Sequence, residues 1–276
     1  MKRLLGGLIF LLSLWMTPVL AQDADFQMID YLGSSAGMIR IGLIEGFSDT
    51  GSVVFENPAG LYRINRFSCS AYQTKLMNEV SYKNVAVAMR MPVGVLGLGY
   101  MMAGVDDIYS TYVQEDTGDL AIHHSFSYKN QLIKLGYELP MSEYLKLGVG
   151  ATYYMLEMDT LKGKGSNFDF GFIFNSTKWE LSCVFRNLIN SKVTYSDSSS
   201  EIIETPWYAQ DSAGNDAQIV ETDYNSSGKT ENLPLQSFYS LRYSLSRSVE
   251  LYTQFKSSQQ NRNLLKSIGI EFTPTL

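Results

Sequence analysis

The chain has 276 residues, with 22 Lys or Arg and 28 Asp or Glu, so its formal net charge is −6. A transmembrane helix needs roughly 20 consecutive apolar residues, and only the N-terminus comes close, which excludes a polytopic helical membrane protein. The 18 Tyr and 14 Phe exclude a disordered chain. Because acidic residues outnumber basic ones, the chain lacks the excess of positive charge that is typical of nucleic-acid-binding proteins. Two classes of protein remain possible. One is a soluble domain, and the other is a transmembrane β-barrel, in which apolar and polar residues alternate and the mean hydropathy stays low.

The N-terminus is organised like an export signal. Lys2 and Arg3 form a charged start, and residues 4–16 form an apolar stretch that is short for a membrane span. Val19 and Ala21 place medium and small side chains at positions −3 and −1 relative to a cleavage site after Ala21. We therefore predict a signal peptide over residues 1–21, cleaved after Ala21, and export of the rest. The alternative is an uncleaved N-terminal anchor helix.

Two cysteines, Cys69 and Cys183, are too few for a disulfide scaffold. They could pair with each other in an oxidising compartment. The interpretation we favour is that each packs as a small hydrophobic residue.

From residue 65 onward, apolar residues alternate with polar or small ones. For example, Val85, Val87 and Met89 share one face of a segment, and Ala86 and Ala88 share the other. A period of two over many segments predicts β-strands. About ten strands are predicted, over residues 65–76, 80–91, 95–103, 121–139, 144–156, 167–175, 179–187, 237–245, 249–257 and 264–272.

The composition of the two faces indicates which one meets water. A soluble sandwich buries its apolar face, whereas an outer-membrane barrel turns that face to lipid. Here the polar face mixes Gly and Ser with charges of both signs, as a crowded polar lumen requires, and the apolar face is rich in aromatic residues near strand ends. Both cysteines fall on the apolar face, where Lys83, His124 and Lys266 are the exceptions near strand ends. The charged residues predicted for the lumen are Arg90, Lys134, Lys146, Arg186, Arg242, Lys256, Glu138, Asp169, Glu180, Glu250 and Glu271.

The connections between the predicted strands alternate in length. If residues 121–139 form one strand with a bulge near Asn130 and Gln131, every second connection is tight. The tight connections are 92–94, 140–143, 176–178 and 246–248, and the longer ones include 104–120, 157–166 and 188–236. This asymmetry is typical of the periplasmic turns and extracellular loops of outer-membrane barrels. The polar residues 188–236 are predicted to form an exposed loop, either a solvated spacer or an adhesive or ligand-gating surface.

The region before the first strand carries the motifs of a family resemblance. A Gly/Ala-rich stretch at residues 33–38 is followed by Asn57-Pro58-Ala59-Gly60. This layout resembles the N-terminal region of FadL-like outer-membrane transporters and of PorV/PorQ-type barrels. Residues 167–171 and 185–188 are similar to two further sequence boxes of the PorV-like branch. Among these barrels the chain most resembles a FadL-like family from treponemes.

The resemblance implies an all-β, transmembrane, antiparallel up-and-down β-barrel with a plug in its lumen. Residues 22–64 would form the plug and residues 65–276 the barrel, with passive uptake of long-chain fatty acids across the outer membrane. The implied partners are outer-membrane lipid, a hydrophobic ligand such as a fatty acid, and the barrel-assembly machinery, with no nucleic acid, metal or cofactor. The resemblance implies 14 strands, whereas ten are predicted here. Either the family count does not apply to this chain, or the chain lacks the final hairpins, which is the alternative that we favour.

Asn57, Pro58, Ala59 and Gly60 are the candidate site residues, with a structural or a gating role. Pro58 has a fixed φ and lacks an amide donor, while Gly60 permits an unusual φ. We therefore predict a rigid turn where the plug meets the barrel wall, the alternative being direct contact with the ligand.

No enzyme signature is present, and we predict that the chain is not an enzyme. His123 and His124 are adjacent in a strand and point to opposite faces, so they cannot share a metal ion. Residues 94–99 alternate Gly as a strand does, and no helix follows them as a phosphate loop requires. Two alternatives to uptake are a PorV-like barrel for secretion or surface attachment and a soluble periplasmic β-protein. An apolar pocket between residues 22–60 and the wall would favour transport, and a filled polar lumen would favour a scaffold.

Overall fold

The computed structural model describes residues 33–113, 120–189, 192–197, 230–258 and 265–273. The predicted signal peptide, its cleavage site and the first part of the predicted plug lie outside the described residues, as does much of the loop predicted over residues 188–236. None of the helices in the described ranges has the length and hydropathy that a membrane-spanning helix requires.

The described residues form short helices followed by strands. The helices are α1 (Ala36–Arg40), α2 (Val53–Glu56) and a 3-10 helix (Pro58–Arg63). The strands are β1 (Phe67–Leu76), β2 (Val80–Arg90), β3 (Val95–Val113), β4 (Leu120–Pro140), β5 (Leu145–Met158), β6 (Leu161–Asn175), β7 (Trp179–Arg186), β8 (Lys192–Asp197), β9 (Thr230–Asn232), β10 (Gln236–Ser244), β11 (Val249–Ser258) and β12 (Leu265–Phe272).

All the strands belong to one antiparallel sheet, in which chain neighbours pair from β1 to β7 and from β10 to β12. The path runs β1-β2-β3-β4-β5-β6-β7-β10-β11-β12, while β8 pairs with β6 and β9 pairs with β8. The tight turns form at the predicted places. For example, Met91 N donates to Gly94 O at 3.0 Å, and Ser176 N donates to Trp179 O at 2.9 Å. The prediction of an all-β, antiparallel up-and-down fold is therefore confirmed.

Burial in the sheet is the reverse of that in a soluble sandwich. On the convex face Val85, Leu135 and Val149 are 47%, 48% and 54% exposed, whereas on the concave face Lys134 and Glu138 are 4% and 1% exposed. Outward apolar positions on β5 run from residue 145 to 155, about 11 residues, which is the ~9–11 that a tilted membrane strand needs. An apolar outside around a polar inside is the arrangement of an outer-membrane β-barrel.

Aromatic side chains mark the tight-turn end of the apolar band. The rings of Tyr144, Phe174 and Trp179 stack in sequence, with centroids 6.5 and 5.2 Å apart. Trp179 pairs across the ladder with Tyr243 on β10. Such a girdle is expected at the level of the lipid headgroups, where aromatic rings have one apolar and one wet side.

The prediction of a loop over residues 157–166 is wrong. β5 and β6 are joined at Asp159 and Thr160, and Asp159 has a φ of 53°. The first residues of β6 alternate exposed lysines with buried glycines, and a Cβ at Gly165 would lie 2.8 Å from a methyl of Val193 on β8. The start of β6 resembled a polar loop in the sequence because its inward positions are glycines. These glycines leave room for the side chain of Val193 on β8.

The predicted bulge at Asn130 and Gln131 is also wrong. The β3–β4 ladder is regular through both residues, and its register shifts instead between Val105 and Ile108, where Asp107 has a φ of 58°. The apolar phase changes along β4 because Tyr128 packs inward against an apolar cluster. The apolar residues thus move from one face of β4 to the other, and the strand continues without a break.

The remaining differences concern the end opposite the tight turns. β3 extends to Val113 and β4 begins at Leu120, so the predicted loop 104–120 is mostly strand. β8 and β9 lie inside the loop predicted over residues 188–236, and the described residues thus contain twelve strands rather than ten. This end is built largely from long strands, where the sequence indicated long loops.

Candidate functional site

Residues 33–64, called here the interior segment, lie on the concave side of the sheet. The hydroxyl of Tyr82 on β2 donates to Gly33 O at 2.7 Å. Glu45 N donates to Oε1 of Gln254 on β11 at 2.7 Å. A Cβ at Gly269 on β12 would lie 3.1 Å from Ile41 C. Because strands near both ends of the path contact the same segment, the sheet curves around it.

Glu56 holds the interior segment in its own conformation. Its Oε1 accepts hydrogen bonds from the hydroxyls of Ser34 and Ser48, each at 2.5 Å, and its Oε2 accepts one from Gly46 N at 2.9 Å. The residue is 1% exposed. Charge-assisted hydrogen bonds offset the cost of burying a carboxylate. The three donors come from separate parts of the segment, so Glu56 ties them together.

The candidate box at residues 57–60 forms a capped helical turn against the wall. Asn57 Oδ1 accepts from Ala59 N at 3.0 Å, which caps the 3-10 helix, and Pro58 occupies its first turn. Asn57 Nδ2 donates to Ser182 Oγ at 2.8 Å and to Cys183 O at 3.1 Å, both on β7. The same amide thus caps the helix and joins it to the barrel strand.

The structure differs from the prediction for Gly60 in one respect. Gly60 is absent from the described residues with positive φ, so it does not use the conformational freedom of glycine. A Cβ at this position would instead lie 2.5 Å from Val53 Cγ2. Close packing between α2 and the 3-10 helix is therefore the reason for glycine here.

A set of inward-facing glycines, called here the glycine seat, makes room for the box and for Val54 and Leu61 beside it. Its members are Gly97, Gly136, Gly148, Gly150 and Gly171 on β3–β6. A Cβ at Gly148 would lie 2.5 Å from Pro58 C, and one at Gly171 would lie 2.9 Å from Asn57 Cγ. Cross-strand pairs link Gly97 with Gly136, Gly136 with Gly150, and Gly148 with Gly171. The sequence places these glycines on the face opposite the apolar residues, but it is the strand register that brings them together.

Ion pairs join the interior segment to β7 and β10. Arg186 Nη2 lies 2.5 Å from Glu45 Oε2 and also donates to Phe55 O at 2.8 Å. Glu180 pairs with Arg63 of the segment and, at 2.5 Å, with Arg242 of the wall. Buried charges are tolerated where they are paired and hydrogen-bonded. The predicted lumen charges therefore anchor the segment.

Two further polar groups complete this network. The hydroxyl of Tyr62 donates to Glu180 Oε1 at 3.2 Å, and burial raises the pKa of Tyr62, which keeps the hydroxyl protonated as a donor. Lys134 Nζ lies 2.5 Å from Asp169 Oδ2 between β4 and β6, and it also donates to Phe55 O at 3.4 Å.

An apolar cluster occupies the part of the interior that faces β2–β6 and β8. The interior segment contributes Val53, Val54, Phe55, Leu61 and Ile64. The strands contribute Tyr82, Ala86, Ala88, Val95, Met101, Ala103, Leu132, Tyr154, Leu156, Val193 and Tyr195, and Leu233 follows β9. The cluster extends from Val95, next to a tight turn, to Tyr195 at the opposite end. Sequence reasoning missed it because it treated the inward face as uniformly polar.

The interior segment packs closely against the wall around Phe55. A cavity bordered by Met38, Phe55, Met101 and Arg186 has a volume of about 10 Å³, which is no more than one water requires. Phe55 fills the space inside Gly99, where a Cβ would lie 2.5 Å from a ring carbon. On the lipid-facing side of Gly99, a depression of about 250 Å³ is bordered by the outward side chains of β2–β4.

The other residues considered from the sequence do not form a site. In the part of the chain that the structure describes, no group of three or more His, Cys, Asp or Glu could hold a metal ion. His124 Nε2 lies 3.1 Å from Asp159 Oδ2 on the exposed surface. Cys69 is an exposed free thiol and Cys183 a buried one.

Neither a family model nor a curated protein matches the chain. Similar solved structures include a loop L8 deletion mutant of OmpT, an outer membrane protein of Vibrio cholerae (9% identity, TM-score 0.45, 76% of this chain, 59% of that chain). Another is a deltaS2 mutant of the TodX monoaromatic hydrocarbon channel (8% identity, TM-score 0.46, 88% of this chain, 75% of that chain). A third is outer membrane phospholipase A from Escherichia coli (10% identity, TM-score 0.23, 76% of this chain, 96% of that chain). The chain thus spans less than two thirds of the OmpT structure.

Proposed function

We propose that this chain is a FadL-like outer-membrane barrel for the passive uptake of hydrophobic nutrients, with long-chain fatty acids as the substrate class. Residues 22–64 would be its plug. The observation that carries the proposal is the apolar cluster inside a barrel that otherwise has a charged interior. A hydrophobic solute would need a band of apolar residues such as the one that runs from Val95 to Tyr195.

The filled interior requires that the plug moves during uptake. Phe55 packs against Gly99 and belongs to the apolar cluster, while its carbonyl is held by Arg186 at 2.8 Å. Displacing Phe55 would open space along apolar side chains of β3 and β4, including Met101 and Leu132. In this proposal the ion pair between Glu45 and Arg186 keeps the plug seated, and the hydrocarbon chain of the substrate competes for the contacts of Phe55.

Fluorescent fatty-acid uptake into proteoliposomes tests this proposal. Phe55→Ala should raise the uptake rate, because it empties part of the path without removing an ion pair. Leu156→Trp should lower it, because it enlarges a side chain that is 3% exposed inside the cluster. Heat-modifiable gel mobility controls for folding. A folded wild-type protein without saturable fatty-acid binding or uptake would contradict the proposal.

A PorV-like scaffold for secretion or surface attachment is the second candidate. The observation that favours it is that the cavity beside Phe55 and Arg186 has a volume of only about 10 Å³, since a scaffold needs no solute path. Co-purification of the folded protein with a secreted partner or a host ligand, together with unchanged liposome permeability in Phe55→Ala, would support the scaffold over the channel.

Export and assembly belong to the same proposal. The mature protein would begin after Ala21 and reach the outer membrane through the barrel-assembly machinery. Mass spectrometry of the protein from outer-membrane fractions would give its N-terminal residue. Recovery in a soluble periplasmic fraction, without heat-modifiable mobility in detergent, would instead indicate a soluble β-protein.

A further inference from the structure

Four lysines form an outward-facing group on β4, β6 and β8, called here the lysine patch. Its members are Lys129, Lys162, Lys164 and Lys192. Each lies next to a buried inward residue of its strand, namely Asn130, Gly163, Gly165 or Val193. The first two are separated by one strand, because Lys129 pairs with Glu157 and Glu157 pairs with Lys162. Lys164 pairs with Thr194, two positions from Lys192.

The patch has an excess of positive charge in an acidic chain. Four lysines and Glu157 give it a net charge of about +3, while the whole chain has a formal charge of −6. None of the four lysines is ion-paired to a described residue.

The height of the patch relative to the apolar band indicates what that anion is. Lys164 and Phe174 both face outward on β6 and are about ten positions apart. With a rise of ~3.3 Å per residue and a strand tilt of ~35–45°, this separation is roughly 23–27 Å along the barrel axis. Phe174 belongs to the aromatic girdle at the tight-turn end. Lys164 thus lies one apolar thickness away, at the opposite headgroup level, and Lys162 and Lys192 lie within about two positions of that level.

We propose that the lysine patch binds the phosphate groups of anionic lipid headgroups in the leaflet opposite the tight turns. An ammonium group binds phosphate as a compact charge, and its aliphatic stem lies along the apolar surface below it. Tyr153 and Met155 of β5 provide that surface, since Met155 pairs with Lys164. The patch would hold the barrel at a fixed depth and gather anionic lipid around β4–β8.

Native mass spectrometry of the full chain released from nanodiscs tests the proposal. The nanodiscs contain equal amounts of phosphatidylglycerol and phosphatidylcholine, and the ratio of the two retained lipids is measured. The wild type should retain phosphatidylglycerol preferentially, and added salt should reduce the preference. In Lys162→Gln/Lys164→Gln/Lys192→Gln the preference should fall by at least about fivefold, the effect of roughly one lysine at an anionic surface.

A matched control removes three positive charges at the tight-turn end. Arg66→Gln/Lys178→Gln/Arg247→Gln changes exposed residues there and should keep the preference of the wild type. Lys162→Arg/Lys164→Arg/Lys192→Arg should also keep it, because the charge remains. Equal losses in the lysine variant and the control would overturn the proposal, as would a wild-type preference that is absent or insensitive to salt.

Discussion

Gly148→Ala is the sharpest test of how the interior segment is seated. A Cβ at this position would lie 2.5 Å from Pro58 C and 2.7 Å from Ala59 Cα, well inside ordinary contact. Both atoms are backbone atoms of a turn that Asn57 caps and joins to β7, so no side-chain rotation relieves the contact. Overpacking of this kind costs ~1–3 kcal/mol. We expect a net loss of about 2 kcal/mol, because a clash with backbone atoms lies at the upper end of that range and the ~0.5–1 kcal/mol gained by replacing a strand glycine offsets part of it.

The control for this variant is Gly37→Ala. Gly37 lies in α1 of the same segment, and the nearest atom to its added Cβ would be Ser35 Oγ at 3.6 Å. Alanine is favoured over glycine in a helix by ~1 kcal/mol at most, so this variant should be as stable as the wild type or slightly more stable. Stability is measured as the midpoint of urea unfolding in detergent and as the temperature at which heat-modifiable mobility is lost. Equal midpoints for the two variants would refute the close seating of residues 57–60 on the wall.

Three other predictions follow from burial and charge. Glu45→Ala should destabilise the protein by ~3–5 kcal/mol because Arg186 keeps a buried charge without its carboxylate, and a double-mutant cycle with Arg186→Met should show coupling if the pair exists. A lipophilic maleimide should label exposed Cys69 in the folded protein and leave Cys183 unlabelled until unfolding, whereas equal rates would contradict their burial. In a Trp15→Phe/Trp207→Phe variant, where Trp179 is the remaining tryptophan, its fluorescence should be quenched more by lipids brominated near the headgroup than by those brominated near the chain ends, as its girdle position requires.

The side of the wall on which each strand residue lies could be predicted from the sequence, because side chains alternate between two faces and only two assignments are possible. A shift of one residue exchanges the faces, so Val85 and Lys134 had to lie on opposite sides of the wall once the barrel was assumed. The chemistry of both residues fits the side on which the structure places them. The apolar exterior and the charged interior were therefore predictable together.

The candidate site was less predictable because its contacts join distant parts of the chain. Arg186 and Glu45 are 141 positions apart, and neither position carries a local signal of the other. Glu56 stands in the sequence as an ordinary acidic residue beside Asn57, although it accepts hydrogen bonds from across the interior segment. Glycines such as Gly148 could have indicated the seat, but only after the strand register had been derived and the inward positions compared across strands.

The contacts of the interior segment also determine when it can become ordered. Each hairpin of the sheet joins neighbours in the chain, so its loop closure is local and fast. The hydrogen bond from Glu45 N to Gln254 instead closes a loop of 209 positions, and Ile41 contacts Gly269 farther on. The interior segment can therefore complete its contacts only after β11 and β12 have formed, so its docking belongs to the late steps of assembly.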